Sequence, residues 1–255
     1  MARGAKKTEQ GAGGGRAATM EEIPFGRLHR PLDVASCPGL VLIHDVWGRS
    51  EHSRALAARM AGEGFAVVEL DLYRDLLDPE VRDAGERIRS LDDGQVLDDV
   101  DAAGRWLGEQ AVCRGRRIGV MGVCMGGTYS LLAACRSTVF AASAPFYAVL
   151  CYDRGMVIGS DGRDRARKPV SPIEAAPSLR MPMLASFGGR DEFVPEGDVD
   201  ALEAGLARSG RAFRVDRYAD AGHAFLNETR PAAYRPETAR TALGRVVAFL
   251  HERLD

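Results

Sequence analysis

Short apolar runs alternate with stretches of helical periodicity from Leu40 to the end of the chain, and this alternation restricts the fold more than any other feature. Runs such as residues 40–44 (LVLIH) are apolar without interruption, as expected of strands buried on both faces. Such strands, separated by helices, are typical of a mostly parallel sheet with helices on both sides. We therefore predict an α/β fold with strands over 40–44, 65–70, 117–122, 139–149, 183–187 and 211–218, and helices over 50–63, 96–108, 126–136, 197–209 and 238–254.

The chain of 255 residues is long enough for one well-buried domain, and it shows no internal repeat and no linker. We predict a single domain over residues 21–255. Residues 1–20 are rich in Gly, Ala, Lys and Arg, which predicts a disordered tail, with a basic transit peptide as the alternative. Residues 151–182 break the alternation with Gly, Pro, Arg and Asp, so we expect a surface excursion near the mouth of a site.

Composition argues against several classes of function. The formal net charge is −2, whereas nucleic acids and anionic membranes are bound by concentrated basic faces. No apolar run approaches the roughly 20 residues of a membrane-spanning helix. The five cysteines are odd in number and widely spaced, and none forms a metal-binding pattern with histidine. We therefore expect a cytoplasmic protein without disulfides that binds no nucleic acid, membrane or metal.

A glycine-rich turn lies between a predicted strand and a predicted helix, where residues 122–127 read GVCMGG. This is the nucleophile-elbow pattern G-x-Nuc-x-G with Cys124 in place of the usual serine. Glycines are needed because the turn is sharp, and the positive end of the following helix stabilises a thiolate and an oxyanion. We predict Cys124 as the nucleophile and the backbone N–H of Met125 as an oxyanion donor. The alternative is a buried cysteine in a structural turn.

An acid and a histidine follow the elbow in the chain order typical of this kind of site. Asp191 and His223 each lie in a polar loop directly after a predicted strand, so both belong to the edge of the sheet where the elbow lies. His223 is predicted to hold the thiol proton, and Asp191 to orient the imidazole. Glu192 and Asp220 stay open as competitors for the role of the acid.

At this point the sequence resembles the dienelactone hydrolase family, the carboxymethylenebutenolidases, from about Leu40 to Leu254. The shared motifs are residues 44–48 (HDVWG), 71–73 (DLY), 122–127 (GVCMGG), 189–191 (GRD), 194–195 (VP) and 222–225 (GHAF). The resemblance implies an α/β-hydrolase fold with no large cap domain, no cofactor and a monomer. It also implies that the enzyme opens an unsaturated lactone through an acyl-cysteine, in the degradation of aromatic compounds.

The resemblance also assigns residues around the nucleophile. Asp45 takes the place of a family carboxylate that activates the resting thiol, although the family's archetype has the longer Glu. The N–H of Val46 is then the second oxyanion donor. Trp47 and Phe225 lie in the shared motifs and are expected to line the substrate site, and His44 is a candidate for its wall.

The residues that would recognise an anionic substrate depart from the family pattern. The family's archetype has an arginine at the position of Asn227, which is neutral here. Arg82 and Arg87 both lie near the position of a second family arginine, and Arg230 is a candidate to compensate. Hydrolysis of an ester or enol-lactone is the preferred hypothesis. A general carboxylesterase or thioesterase, and a non-catalytic thiol-sensing or binding protein, are the alternatives.

Overall fold

A computed structural model of the chain describes residues 7–9, 17–32 and 34–255, and its strands form one sheet. The strands are β1 (Lys7–Glu9), β2 (Ala18–Ile23), β3 (Gly26–Pro31), β4 (Gly39–Ile43), β5 (Ala66–Leu70), β6 (Ile118–Val123), β7 (Ala142–Phe146), β8 (Met183–Gly188) and β9 (Phe213–Tyr218). Their order in the sheet is β1-β2-β3-β5-β4-β6-β7-β8-β9. The six strands from β5 to β9 in this order are parallel, so the predicted α/β fold is confirmed.

Helices cover both faces of this sheet. They are α1 (Glu51–Gly62), α2 (Ala84–Ser90), α3 (Asp93–Glu109), α4 (Met125–Arg136), α5 (Pro172–Ala175), α6 (Glu196–Arg208) and α7 (Pro236–Leu254). Side chains alternate along β4: Leu40 and Leu42 join the core beneath α1 and α7, whereas Val41 and Ile43 join the core beneath α3, α4 and α6. Burial on both faces is why this strand is apolar at every position.

The antiparallel strands at one edge of the sheet are the main part of the fold that the sequence analysis did not predict. β3 pairs antiparallel with both β2 and β5, and β1 pairs antiparallel with β2. Most residues of β2 are only partly buried, so its sequence lacks the continuous apolar run of the inner strands. Of the predicted tail, Lys7–Glu9 and Ala18–Met20 lie in strands, and 1–6 and 10–16 lie outside the described residues.

The excursion over residues 151–182 contains α5 and is fastened to the domain by a buried cation. Lys168 is 1% exposed, and its Nζ donates to Oδ1 of Asp93 at 2.6 Å and to the hydroxyl of Tyr129 at 2.9 Å. These partners lie at the start of α3 and within α4, so the excursion is tied to the layer of helices.

No helix among the described residues is long and apolar enough to cross a membrane.

Candidate active site

The nucleophile elbow has the strained backbone that its sequence predicts. Cys124 lies between β6 and α4 with φ 54° and ψ −118°, a region that residues other than glycine rarely adopt. Its N–H donates to the carbonyl of Phe146 at 3.0 Å, which fixes the turn. The side chain is 7% exposed at the amino end of α4. Strain of this kind is concentrated at functional sites, where the surrounding structure holds it in place.

Three glycines make this turn possible because other backbone segments fill the space where a Cβ would lie. A Cβ on Gly122 would overlap the carbonyl of Gly126. A Cβ on Gly126 would lie 2.5 Å from the carbonyl oxygen of His44, and one on Gly127 would overlap that of Phe146. The glycines therefore bring the elbow against the carboxyl ends of β4 and β7.

Asp191 and His223 are joined across the loops that follow β8 and β9. Nδ1 of His223 lies 2.8 Å from Oδ2 of Asp191. The other carboxylate oxygen of Asp191 accepts from the N–H groups of Phe193 and Val194, at 2.9 and 3.2 Å. The carboxylate is therefore fixed by its own loop and presents one oxygen to the imidazole.

The two competing acids have other environments. Glu192 is exposed to solvent. Asp220 accepts a hydrogen bond from the hydroxyl of Thr238 at 2.8 Å, beside the start of α7. Asp191 is therefore the carboxylate that the structure brings to His223.

The surroundings of His223 favour its protonated form. Burial lowers the pKa of His223, but the charge of ionised Cys124 and hydrogen bonds to Asp191 and Cys124 raise it to about 10. The rings of Tyr147 and Phe193 meet the imidazole edge to face at 5.1 and 5.0 Å. The arrangement therefore suits an imidazolium stabilised by the carboxylate of Asp191.

Two backbone N–H groups beside the elbow have no hydrogen-bond partner among the described residues. One belongs to Met125, the first residue of α4, and the other to Val46 in the loop after β4. In the same loop the N–H of Trp47 donates to Oδ1 of Asp45 at 2.9 Å, and that of Gly48 to the carbonyl of Asp45 at 3.2 Å. Within this loop the N–H groups of Trp47 and Gly48 are satisfied by Asp45, whereas the N–H of Val46, which is predicted to bind the oxyanion, has no partner among the described residues.

The family whose sequence model matches the chain is described as the dienelactone hydrolase family, and the match covers residues 26–254. The chain belongs to this family. A protein of Bradyrhizobium named as a probable 2-oxo-3-(5-oxofuran-2-ylidene)propanoate lactonase is 30% identical over 239 residues, 92% of each chain. A carboxymethylenebutenolidase of Rhodococcus opacus is 29% identical over 251 residues, 94% of this chain and 90% of that protein.

Solved structures agree on the fold of this hydrolase family. A crystal structure from Klebsiella pneumoniae, whose name is putative dienelactone hydrolase, has a TM-score of 0.77 at 22% identity, covering 96% of this chain and 97% of that one. A dienelactone hydrolase-like promiscuous phosphotriesterase from metagenomic libraries has a TM-score of 0.71 at 17% identity, with full coverage of both chains. At these identities the likeness establishes the fold, and the family match establishes that the chain is a hydrolase.

The carboxylate of Asp45, which the resemblance assigns to activation of the thiol, is hydrogen-bonded within its own loop in this structure. Asp45 is 7% exposed, and its Oδ1 accepts from the N–H of Trp47. Among the described residues no hydrogen bond joins Asp45 to Cys124. The carboxylate therefore shapes the loop in this structure, and its effect on the thiol stays a proposal.

Two residues expected at the substrate are enclosed by protein. Phe225 is fully buried and packs edge to face on Phe146 and Tyr147, so it supports the floor beneath His223. Asn227 is 3% exposed, and its Oδ1 accepts from the N–H and hydroxyl of Thr229. In this structure the two side chains take part in packing and in a turn, and contact of either with a substrate stays a prediction.

The remaining three expected residues lie nearer the surface. Trp47 is 44% exposed, and the guanidinium carbon of Arg230 lies 5.1 Å from its ring centre. The guanidinium carbon of Arg87 lies 5.0 Å from the ring centre of Tyr73, which itself contacts the loop after β4. Arg82 is 72% exposed and paired with acidic side chains of its own loop. Of the two arginines, Arg87 is the one that contacts Tyr73, and its contact with a substrate stays a prediction.

Three residues at this site have contacts that the sequence analysis did not predict, since it named only His44, as a candidate for the wall of the site. Tyr147 follows β7 with φ 34°, and its ring packs on His223; no motif marked it, and it lies within the strand predicted over 139–149. His44 and Tyr73 belong to recognised motifs, yet only the structure shows that they contact each other and the loop of Val46. The signal in the sequence was that each motif directly follows a strand, because adjacent parallel strands bring the loops at their carboxyl ends together.

Proposed function

We propose that this protein hydrolyses an ester or an enol-lactone through an acyl-cysteine on Cys124. The observation that carries the proposal is the strained elbow of Cys124 beside a histidine whose Nδ1 lies 2.8 Å from Asp191. A nucleophile, a base and an orienting acid in this order are the parts that acyl transfer needs. The unpaired N–H groups of Val46 and Met125 lie beside them.

In the first half-reaction, the thiolate of Cys124 attacks the carbonyl carbon of the substrate. The negative charge moves to the carbonyl oxygen, where the N–H groups of Val46 and Met125 stabilise it. As the tetrahedral intermediate collapses, the carbon–oxygen bond of the ester breaks and protonated His223 gives its proton to the leaving oxygen. The product is a thioester on Cys124; from a lactone, the leaving oxygen stays attached to the same molecule.

In the second half-reaction, neutral His223 takes a proton from water, and the resulting hydroxide attacks the thioester carbon. A second tetrahedral oxyanion forms at the same two N–H groups and collapses with cleavage of the carbon–sulfur bond. The carboxylic acid is released, and the thiolate of Cys124 again faces the imidazolium of His223. All groups in these steps belong to the chain, substrate or water, so the proposal includes no cofactor.

Asp45 is proposed to assist activation of the Cys124 thiol by accepting a hydrogen bond from its S–H group before the proton passes to His223, because a negative charge alone would disfavour the thiolate. The variant Asp45→Asn tests this role because an amide oxygen can still accept from Trp47 while the charge is lost. A fall in thiol reactivity without loss of the folded state would support the assignment. Unchanged reactivity of the thiol would mean that Asp45 only holds the loop in place.

An unsaturated lactone with a carboxylate is the substrate class that we favour. The name of the Bradyrhizobium relative describes such a lactone, and the contact of Arg87 with Tyr73 supports a role for this cation in binding the carboxylate. Arg230, which lies over the ring of Trp47, is proposed as a second cation for the same role. By extension from the family resemblance, we propose a cytoplasmic monomer that acts in the degradation of aromatic compounds.

A general carboxylesterase or thioesterase is the second candidate. It is favoured by Asn227, a neutral residue that is enclosed by protein, and by the hydrogen bonds of Arg87 to the carbonyls of Asp78 and Glu80, at 2.8 and 2.7 Å. An arginine already engaged in this way has fewer donors left for a substrate carboxylate. The same triad would then act on neutral acyl groups.

The deciding experiment compares the wild type with Cys124→Ser on dienelactone, a neutral p-nitrophenyl ester and an acyl thioester, with mass spectrometry for the acyl adduct. Cys135→Ala is the matched control, because it removes another buried thiol of the same region. Lactone turnover that is lost in Cys124→Ser supports the preferred substrate, and turnover of neutral esters or thioesters alone supports the second candidate. No turnover and no adduct would contradict the enzymatic proposal and favour a thiol-sensing or binding protein.

A further inference from the structure

The ring of His44 joins the loop after β4 to the loop after β5. Its Nε2 lies 3.1 Å from the backbone nitrogen of Leu72, and a backbone N–H only donates. The ring proton must therefore be on Nδ1, which donates to the carbonyl oxygen of Asp45 at 2.5 Å. His44 is fully buried, and burial lowers its pKa, so the ring is neutral and both nitrogens are used.

These bonds fix the orientation of the peptide that connects Asp45 to Val46. The carbonyl of that peptide is held by Nδ1–H of His44 and by the N–H of Gly48. In a trans peptide the carbonyl and the N–H point in opposite directions. The N–H of Val46 must therefore point away from the imidazole ring, and it has no other partner among the described residues.

The next peptide of the loop is held as well. The hydroxyl of Tyr73 donates to the carbonyl of Val46 at 2.8 Å. The ring of Tyr73 also meets the ring of His44 edge to face, with centres 4.9 Å apart. Both peptides that flank Val46 are thus restrained by side chains from the carboxyl ends of two adjacent strands.

We propose that His44 is a positioning residue, which orients the Asp45–Val46 peptide so that the N–H of Val46 faces the oxyanion of the reaction. The inference rests on the proposed function, in which this N–H is a donor. His44 touches no reacting atom. Its contribution is that the donor is already oriented when charge develops, so that no reorganisation is needed in the transition state. A flipped peptide would instead direct the Asp45 carbonyl oxygen at the oxyanion and repel it.

Two variants separate the hydrogen bonds of His44 from its bulk. His44→Phe keeps an aromatic ring but removes both hydrogen bonds. His44→Asn keeps an N–H group near the position of Nδ1, so it can still donate to the carbonyl of Asp45. Acylation by a neutral aryl ester in a single turnover is compared with alkylation of Cys124 by iodoacetamide. Alkylation needs the thiolate and forms no oxyanion.

We expect His44→Phe to lower the acylation rate by about 10²–10³-fold, the usual effect of losing one oxyanion donor. The loss should appear in kcat, with little change in KM, because the donor acts on the transition state. The alkylation rate of Cys124 should be unchanged. His44→Asn should recover part of the acylation rate, and Tyr73→Phe should show a smaller loss of the same kind.

His29→Phe is the matched control, because it removes an equally buried histidine from β3, where the ring contacts Glu69 at 3.1 Å. It should lower stability without changing the ratio of acylation to alkylation. If His44→Phe does not fold, nitrogen-15 NMR of the wild type tests the same bonds. A neutral His44 ring protonated at Nδ1 is expected, and a proton on Nε2 would overturn the inference.

The outcomes also distinguish this inference from the proposed function. If the wild type forms the acyl adduct and His44→Phe acylates equally fast, the positioning role is wrong and the proposed function stands. If acylation and alkylation fall together in His44→Phe, the histidine is merely structural, and the inference is again wrong. If the wild type forms no acyl adduct, the proposed function fails and the inference fails with it.

Discussion

Nδ1 of His223 lies 2.8 Å from Oδ2 of Asp191, although the two residues belong to loops that follow different strands. Both strands are parallel neighbours, β8 and β9, so their carboxyl ends meet at one edge of the sheet. The other oxygen of the carboxylate is held by the N–H groups of Phe193 and Val194. At Asp191, the hydrogen bonds that hold the loop can therefore be tested separately from the charge beside the imidazole.

The variant Asp191→Asn should fold normally and lose most of its activity. Its amide oxygen can still accept from the loop, but the charge that stabilises the imidazolium is lost. We expect kcat to fall by about 10²–10⁴-fold for an activated ester. Glu192→Gln, at the exposed neighbouring carboxylate, should retain the wild-type rate. A loss at Asp191 no larger than that at Glu192 would contradict the proposed role.

The protonation of His223 should depend on Cys124. Burial lowers the pKa of His223, but the charge of ionised Cys124 and the hydrogen bonds to Asp191 and Cys124 raise it to about 10. NMR titration should therefore place its midpoint well above the ordinary value of about 6.5. In Cys124→Ala the midpoint should fall, because the main cause that raises the pKa is gone. An unchanged midpoint would show that Cys124 does not interact with the imidazole.

The same shift predicts how stability varies with pH. Because the folded state has the higher pKa, the contribution of His223 is fully present below about pH 6.5 and is lost as the pH rises through about 10. The free energy of unfolding in urea should therefore decline over this range by more in the wild type than in Cys124→Ala. Parallel declines in the two proteins would contradict the assignment.

Gly126 should not tolerate even an alanine. A Cβ there would lie 2.5 Å from the carbonyl oxygen of His44 and closer still to that of Ile43, so backbone would have to move. We expect Gly126→Ala to lose more than about 3 kcal/mol of unfolding free energy, or to fail to fold. Gly244→Ala in α7 meets nothing within 4 Å and should gain about 0.5–1 kcal/mol. Equal effects would show that the elbow is not close-packed.

The buried pair of Lys168 and Asp93 should show strong coupling. Burial lowers the pKa of Lys168 and raises that of Asp93, so each charge depends on the other. Lys168→Met should cost about 3–5 kcal/mol, because it leaves a buried carboxylate alone. The double variant with Asp93→Leu should recover part of this loss in urea unfolding. Arg167→Met, on the exposed neighbour, should leave the unfolding midpoint unchanged. Additive losses in the double variant would argue against coupling.

Arg87 and Arg82 should differ in their effect on anionic substrates. Arg87→Gln should raise KM for an anionic lactone or ester by roughly tenfold to a hundredfold, the usual contribution of a charge-assisted hydrogen bond. Turnover of a neutral ester should change much less. Arg82→Gln should affect neither substrate, since its guanidinium is exposed and paired with Asp78 and Glu80. Similar effects of both variants would favour a long-range charge effect over direct contact.

The sequence determined the parts of this protein that are encoded within one element or one turn. The inner strands are buried on both faces, so their continuous apolar runs identify them without any knowledge of their partners. The elbow at Cys124 is also local, because glycines four and five positions after Gly122 are required where backbone segments cross so closely. Cys124, Asp191 and His223 each follow a predicted strand, so the order of nucleophile, acid and histidine can be read along the chain.

The tertiary structure decided what depends on contacts between distant segments. Most of β2 is only partly buried, and β3 contains the polar residues Arg27, His29 and Arg30, so neither strand has the continuous apolar run of an inner strand. Their pairing with each other and with β5 is therefore seen only in the structure. Phe225 has the sequence of a site residue, yet packing places it in the core. The partners of His44 are Asp45, its neighbour, and Leu72, which lies 28 positions away. No local pattern records that second contact, because it exists only where two adjacent parallel strands bring their loops together.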